Sequence, residues 1–175
     1  SPSERSERHR RSVMRVTVIL VEGESDRLAL EVLGERMGVL LPRIRSVGGA
    51  GGARRAALSH RDEVILGLVD VNERSQFEGV VASVFICDPD LEGELIRALT
   101  PEGVLAVIAD EGELESFRRL QQQVAQRSAP IESQLARFFG GRSGNKHRYA
   151  PLMAAAVPID RIPRPLRALI LAAAG

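Results

Sequence analysis

Residues 16–26 read Val-Thr-Val-Ile-Leu-Val-Glu-Gly-Glu-Ser-Asp, an apolar run followed by a short acidic segment. The run Val16–Val21 is rich in apolar, β-branched residues and predicts a strand buried on both faces, as in a parallel sheet. The run stops at Glu22, and a helical pattern follows. We expect Ser25 to cap that helix and Gly38 to end it. A strand that passes directly into a helix indicates an α/β unit.

The same alternation continues through the first half of the chain. Further strands are predicted over Ile44–Val47, Val64–Val69 and Val80–Cys87, and helices over Ala53–Ser59 and Leu91–Leu99. Strands separated by crossover helices form a parallel sheet, so we expect an α/β fold with four parallel strands flanked by helices. Beyond residue 99 only helical patterns remain, over about 101–109, 114–124, 131–139, 146–156 and 165–173.

These patterns divide the chain into three predicted parts. Residues 1–15 are expected to be a disordered tail, 16–99 the α/β core, and 100–175 a helical extension that carries a basic loop at 142–148. The single cysteine cannot form an internal disulfide, which favours a reducing cytoplasm. No apolar run approaches the length of about 20 residues that spans a bilayer, so no membrane association is expected.

Charge is distributed unevenly along the chain. Residues 1–114 contain 14 basic and 20 acidic side chains, whereas residues 115–175 contain 10 basic and 3 acidic ones. An acidic half that binds cations and a basic half that contacts an anionic polymer would explain this division, although two differently solvated surfaces would also do so. Lys146 is the one lysine among 24 basic residues, and lysine offers a mobile point charge that arginine does not.

Acidic residues follow three of the four predicted strands. Glu22 follows the first strand, Asp70 the third, and the group Asp90, Glu92 and Glu94 the fourth, while Asp26 opens the first helix. The carboxyl ends of parallel strands share one edge, where ligands bind. Clustered carboxylates repel one another unless cations lie between them, and such oxygen ligands suit Mg²⁺ or Mn²⁺. Helix capping is the alternative role for the acids that open helices.

The motifs just described resemble Toprim domains. Val-Glu-Gly-Glu-Ser-Asp at 21–26 is similar to their glutamate motif, and Asp70-Val71-Asn72 to their Asp-x-Asp motif with asparagine in second place. Asp-Leu-Glu-Gly-Glu-Leu at 90–95, and the lysine in Arg-Ser-Gly-Asn-Lys-His-Arg at 142–148, resemble the OLD nuclease branch. Glu-Ser-Phe-Arg-Arg-Leu-Gln at 115–121 resembles a stretch of small stand-alone actinobacterial Toprim proteins.

This resemblance implies a metal-dependent endonuclease that nicks or cleaves DNA, or RNA, by phosphodiester hydrolysis. It implies metal binding by the carboxylates and stabilisation of transition-state charge by Lys146. Contacts with the nucleic-acid backbone are expected from basic side chains of the loop. The predicted metal ligands are Glu22, Asp26, Asp70, Asp90 and Glu92, the catalytic pair is Glu22 and Lys146, and the nucleic-acid contacts are Arg142, Lys146 and Arg148.

Several alternatives stay open at this point. OLD nucleases usually carry an ATPase, and this chain contains no Gly-x-x-x-x-Gly-Lys loop. A nuclease of this kind would work without its own ATPase, use a separate ATPase partner, or be a fragment of a longer protein. Asn72 leaves room for a weakly catalytic or non-catalytic module that binds DNA or nucleotides. A receiver-like signalling domain, phosphorylated on Asp70, would need its lysine after a fifth strand. The glycine run at 48–52 fits either phosphate binding or a turn. The sequence leaves the oligomeric state undecided.

Overall fold

A computed structural model describes residues 16–48, 50–141 and 144–175. Four parallel strands form one sheet, which confirms the predicted fold class; they are β1 (Val16–Val21), β2 (Arg43–Ser46), β3 (Val64–Asp70) and β4 (Ser83–Cys87). The strand order is β2-β1-β3-β4. Val21 is level with Ser46 and with Leu68, and Asp70 with Cys87, so the strands end along one edge.

Eight helices flank this sheet in the described part of the chain. They are α1 (Glu24–Arg36), α2 (Ala50–Ser59), α3 (Arg74–Phe77), α4 (Leu91–Asp110), α5 (Leu114–Gln121), α6 (Ile131–Gly140), α7 (Asn145–Ala156) and α8 (Arg164–Ala173). The short helix α3 was not predicted, since four residues carry too little periodicity to be recognised. Helix α4 joins two predicted helices across a break at Thr100, where φ is 65° directly before Pro101.

The two faces of the sheet are covered unequally. Alternate residues of β1 point to opposite faces, as strand geometry requires. Ile19 and Val21 enter a large aliphatic and aromatic core built with α1 and the helices from α4 onward. Val18 and Leu20 enter a smaller core that is closed by α2 and by Phe77 of α3. The acidic edge therefore rests on a sheet that is packed on both sides.

The helices beyond residue 99 belong to the main core. Helix α8 packs against β1, β3 and β4, and its Leu166, Leu169 and Ile170 are fully buried. Helix α7 packs along α1 and against α4. These helices are therefore an integral part of the α/β fold, because they form much of the layer on one face of the sheet. The boundary between 99 and 100 stays a prediction; it coincides with the break in α4.

Two helix starts differ from the prediction. Helix α1 begins at Glu24, and Ser25 is buried inside it rather than capping it. The cap is made by Asp26, whose Oδ2 accepts a 3.0 Å hydrogen bond from the Gly23 amide. A proline just before a helical pattern favours a place in the first helical turn, but Pro89, in the cis Asp88–Pro89 bond, precedes the Asp90 cap of α4.

Two further expectations concern the ends and the glycine run. Residues 1–15, expected to be disordered, lie outside the described residues. Every helix within the described ranges is too short or too polar to traverse a bilayer.

In the glycine run at 48–52, a Cβ on Gly52 would collide with the Val47 carbonyl oxygen, whereas one on Gly51 would meet open space. Close backbone packing at the start of α2 is thus sufficient to explain Gly52.

Candidate active site

The predicted acids lie at the carboxyl ends of three neighbouring strands. Glu22 follows β1, Asp70 ends β3, and Asp90 follows β4 by three residues, while β1, β3 and β4 are consecutive in the sheet. Glu92 sits in the first turn of α4, next to that edge. The strand order thus brings together acids that are up to 70 positions apart in the sequence.

Burial and neighbouring negative charges both act on Glu22 and Asp26. Burial, followed by the charges of Asp70 and Glu73, raises the pKa of Glu22 from 4.5 to about 8. Burial and the charges of Glu92 and Asp70 also raise the pKa of Asp26, from 3.8 to about 7, against a lowering contribution from the Gly23 amide. A carboxyl whose pKa is raised by its neighbours gains from a cation that neutralises the group.

Asp70 and Glu92 complete the cluster. Burial and the charges of Asp90 and Glu92 raise the pKa of Asp70 to about 6. Glu92 is only 5 % exposed, and burial is the main cause that raises its pKa. Its Oε1 atom is buried without a hydrogen-bond partner in the described structure. A buried carboxylate oxygen without a partner is costly, and such an atom is a candidate ligand for an ion.

Asp90 and Glu94 have structural partners as well. The Oδ1 atom of Asp90 accepts a 2.8 Å hydrogen bond from the Gly93 amide and so caps α4. Glu94 accepts a hydrogen bond from the Asp88 amide at 3.1 Å and lies 3.3 Å from the Arg97 guanidinium. No hydrogen bond from a described residue engages the second oxygen of Asp90, whereas both oxygens of Glu94 are engaged.

Lys146 approaches the cluster from α7. Its side chain is exposed, and its charge lowers the pKa values of Asp26, Asp70 and Glu92, so the ammonium lies within electrostatic range of these acids. At the other end of the two helices, Arg36 donates a 2.6 Å hydrogen bond to the Ala154 carbonyl. Helices α1 and α7 therefore run parallel, with both amino termini directed at the site.

The remaining basic residues predicted to bind nucleic acid are placed differently. Arg142 lies outside the described residues. The Arg148 guanidinium donates to Glu113 at 2.7 Å and to Glu111 at 2.6 Å, and it stacks 5.4 Å from the ring centre of Tyr149. Through these contacts, Arg148 fixes the start of α7 to the turn between α4 and α5. Binding of phosphate by Arg148 would have to compete with two carboxylates.

Two residues of the site were not predicted from the sequence. Glu73 lies in a 3₁₀ turn after β3, and its charge is among the causes that raise the pKa of Glu22. Ser25 is buried beside Glu92, whose pKa its hydroxyl lowers. Glu73 could have been predicted as a site residue, because it is an acid close behind Asp70 at the end of the third strand. Ser25 could not, because helix capping explained a serine at that position equally well.

The donor chemistry of this edge fits a hard divalent cation. The candidate ligands are carboxylates, they are partly or fully buried, and burial together with mutual repulsion raises their pKa values. As the side chains lie, however, no group of three His, Cys, Asp or Glu residues within 16–48, 50–141 and 144–175 is arranged to hold a metal ion. Carboxylate side chains would have to rotate inward to form a coordination shell.

The chain is thus an α/β protein with acidic residues along one edge of its sheet and a lysine within electrostatic range of them. No family model and no curated protein matches the chain. Solved structures do. The C-terminal region of the Burkholderia pseudomallei OLD protein aligns over 92 % of this chain and 99 % of that one, with 18 % identity and a TM-score of 0.65. The C-terminal region of the Xanthomonas campestris pv. campestris OLD protein aligns over 92 % and 95 %, with 23 % identity and a TM-score of 0.67. At these identities the likeness shows a shared fold.

Proposed function

We propose that this chain is a Toprim-type nuclease of the OLD kind, which hydrolyses phosphodiester bonds of DNA with Mg²⁺ or Mn²⁺. The observation that carries the proposal is the cluster of Glu22, Asp26, Asp70 and Glu92, faced by the charge of Lys146. The fold shared with C-terminal regions of OLD proteins supports it, as does the resemblance of the sequence motifs to OLD nucleases.

The residues divide by chemistry. Glu22, Asp26, Asp70, Asp90 and Glu92 would hold the metal, which, when bound, activates a nucleophile and neutralises phosphate charge. Lys146 would donate to the phosphate oxygens on which negative charge grows. A lysine suits this role because its ammonium is mobile and projects from a fixed helix end. Burial of Glu92 excludes water from one side of the cluster.

The test is conversion of supercoiled plasmid to nicked or linear forms with Mg²⁺, Mn²⁺ or EDTA. We expect metal-dependent cleavage that falls by about 100-fold or more in Glu22→Gln and in Lys146→Ala. Glu35→Gln is the matched control, because Glu35 is an exposed carboxylate of α1 away from the cluster. Lys146→Arg keeps the charge and tests whether a mobile ammonium is needed.

A second candidate function is a DNA- or nucleotide-binding module without catalysis. Asn72 in place of the second motif acid favours it, as does a carboxylate cluster that is not prearranged around an ion. Wild-type protein that binds plasmid but cleaves it with neither metal would favour this module. A receiver-like function has little support, because Lys146 lies on a helix and the described sheet has four strands.

A further inference from the structure

A cleft of about 340 Å³ lies between α5 and α6, near the start of α7. Arg119 and Arg137 line it together with the polar side chains of Ser116 and Gln123 and the ring of Phe138. Both arginines are exposed, and no carboxylate of the described residues lines the cleft. The cleft therefore presents positive charge and hydrogen-bond donors in a concave surface.

The two guanidinium groups are free to bind a ligand. Within the described ranges, the side chain of neither Arg119 nor Arg137 makes a hydrogen bond or an ion pair, whereas the Arg148 guanidinium is bound by two acids. Arginine presents donors in a planar fork that matches phosphate oxygens. Two unpaired guanidinium groups in one cleft, with no acid to compete, thus form a site suited to phosphate groups.

The cleft is joined to the acidic cluster by a short piece of chain. The buried Asn145 side chain donates a 3.2 Å hydrogen bond to the carbonyl of Phe138, which ties the first turn of α7 to the end of α6. Gly141 lines the cleft and is five residues from Lys146, so their Cα atoms lie at most about 18 Å apart. That span corresponds to about five base pairs of duplex.

We infer that the Arg119–Arg137 cleft binds the phosphodiester backbone of duplex DNA a few nucleotides from the acidic cluster. This inference rests on the proposed function for its ligand. It assigns contact with the DNA backbone to two arginines whose guanidinium groups have no partner among the described residues, in place of Arg148, which is engaged by Glu111 and Glu113. The contact is to phosphates and carries no base specificity.

The test measures binding of a fluorescent duplex by anisotropy in EDTA, at about 50 to 200 mM NaCl. We expect Arg119→Ala/Arg137→Ala to weaken binding about tenfold or more at the lowest salt and to reduce the salt slope by about 2. Arg119→Lys/Arg137→Lys keeps both charges and should stay near the wild-type slope. Arg54→Ala/Arg55→Ala is the matched control, because those exposed arginines lie on α2 at the opposite face of the sheet.

The outcomes separate this inference from the nuclease proposal. The inference that the cleft binds DNA is overturned if the two alanine double variants bind the duplex equally well. It is also overturned if the wild type binds no duplex. If plasmid cleavage persists in either case, the nuclease proposal stands without it. Conversely, a selective loss of binding in Arg119→Ala/Arg137→Ala supports the cleft even if the wild type cleaves nothing with Mg²⁺ or Mn²⁺. Melting curves of each variant confirm that it is folded.

Discussion

The Tyr149 hydroxyl donates a 2.6 Å hydrogen bond to the Glu113 carboxylate, joining residues 36 positions apart. Tyr149 has no exposed surface, and its ring packs against Phe138 and Phe139 of α6. Burial, with this hydrogen bond to Glu113, raises the pKa of Tyr149 above its usual range. The neutral phenol is therefore a fixed donor that holds α7, and with it Lys146, against the rest of the helical layer.

Removing this hydroxyl should destabilise the fold. We expect Tyr149→Phe to lower the free energy of unfolding by about 1.5–3 kcal/mol, because the bond is made to a charged acceptor. Urea unfolding measures the change. Ser59→Ala is the matched loss of a hydroxyl, since Ser59 is exposed and bonds only the Arg55 carbonyl, and it should cost less than about 0.5 kcal/mol. Equal effects of the two substitutions would contradict the role of Tyr149.

The stability of the metal-free chain should depend on pH. Glu22, Asp26 and Asp70 have folded pKa values of about 8, 7 and 6, above their unfolded values of 4.5, 3.8 and 3.8. The folded chain thus binds more protons, so this contribution is complete below about pH 4 and is lost as pH rises through 6 to 8. The melting temperature in EDTA should fall between about pH 5.5 and 8.5.

The source of this pH dependence can be tested by substitution. Glu22→Gln/Asp26→Asn removes two titrating groups and should flatten the curve. Glu35→Gln removes an exposed carboxylate and should leave its slope unchanged. A melting temperature that rises over this range in the wild type would show that the cluster does not control the stability of the metal-free chain.

We expect Glu92 to destabilise the metal-free chain and to be needed for metal binding. Its buried, unpartnered oxygen costs free energy, so Glu92→Gln should stabilise the chain in EDTA at pH 8 by about 1 kcal/mol. We expect Mn²⁺ to raise the melting temperature of the wild type, and the same substitution should abolish that rise. Glu94→Gln is the matched control and should keep the response to Mn²⁺, because its carboxylate is already engaged by Arg97. A Mn²⁺ response retained in Glu92→Gln would exclude it as a ligand.

Neighbouring glycines at the start of α2 should respond in opposite ways to alanine. Gly52→Ala brings a methyl group into the Val47 carbonyl oxygen, and backbone must shift to relieve the collision, at a cost of more than about 2 kcal/mol. Gly51→Ala adds a methyl group in open space and should be neutral or slightly stabilising. Thermal melts of the two variants measure the difference. A phosphate-binding glycine loop would instead predict weaker DNA binding with little change in stability.

The sequence was most informative where the pattern is local. The run before Glu22 predicts a buried strand, and parallel strands place the acids that follow them on one edge, so the cluster could be anticipated. The partners of Arg148 could not, because Glu111 and Glu113 are more than 30 residues away and only tertiary packing brings them near. The position of α8 could not be predicted either. Its apolar stripe predicts that one face of the helix is buried in the core, but does not indicate which strands it packs against.

The parallel arrangement of α1 and α7 has a consequence for how the protein could evolve. A small tilt of α7 at the bond between Arg36 and Ala154 would move Lys146 at the far end, while the carboxylates, carried by other elements, would stay in place. In the proposed nuclease, substitutions there, remote from any reacting atom, would change turnover and spare metal affinity. The rate of the proposed reaction and the affinity for its metal would therefore be adjusted by different parts of the chain.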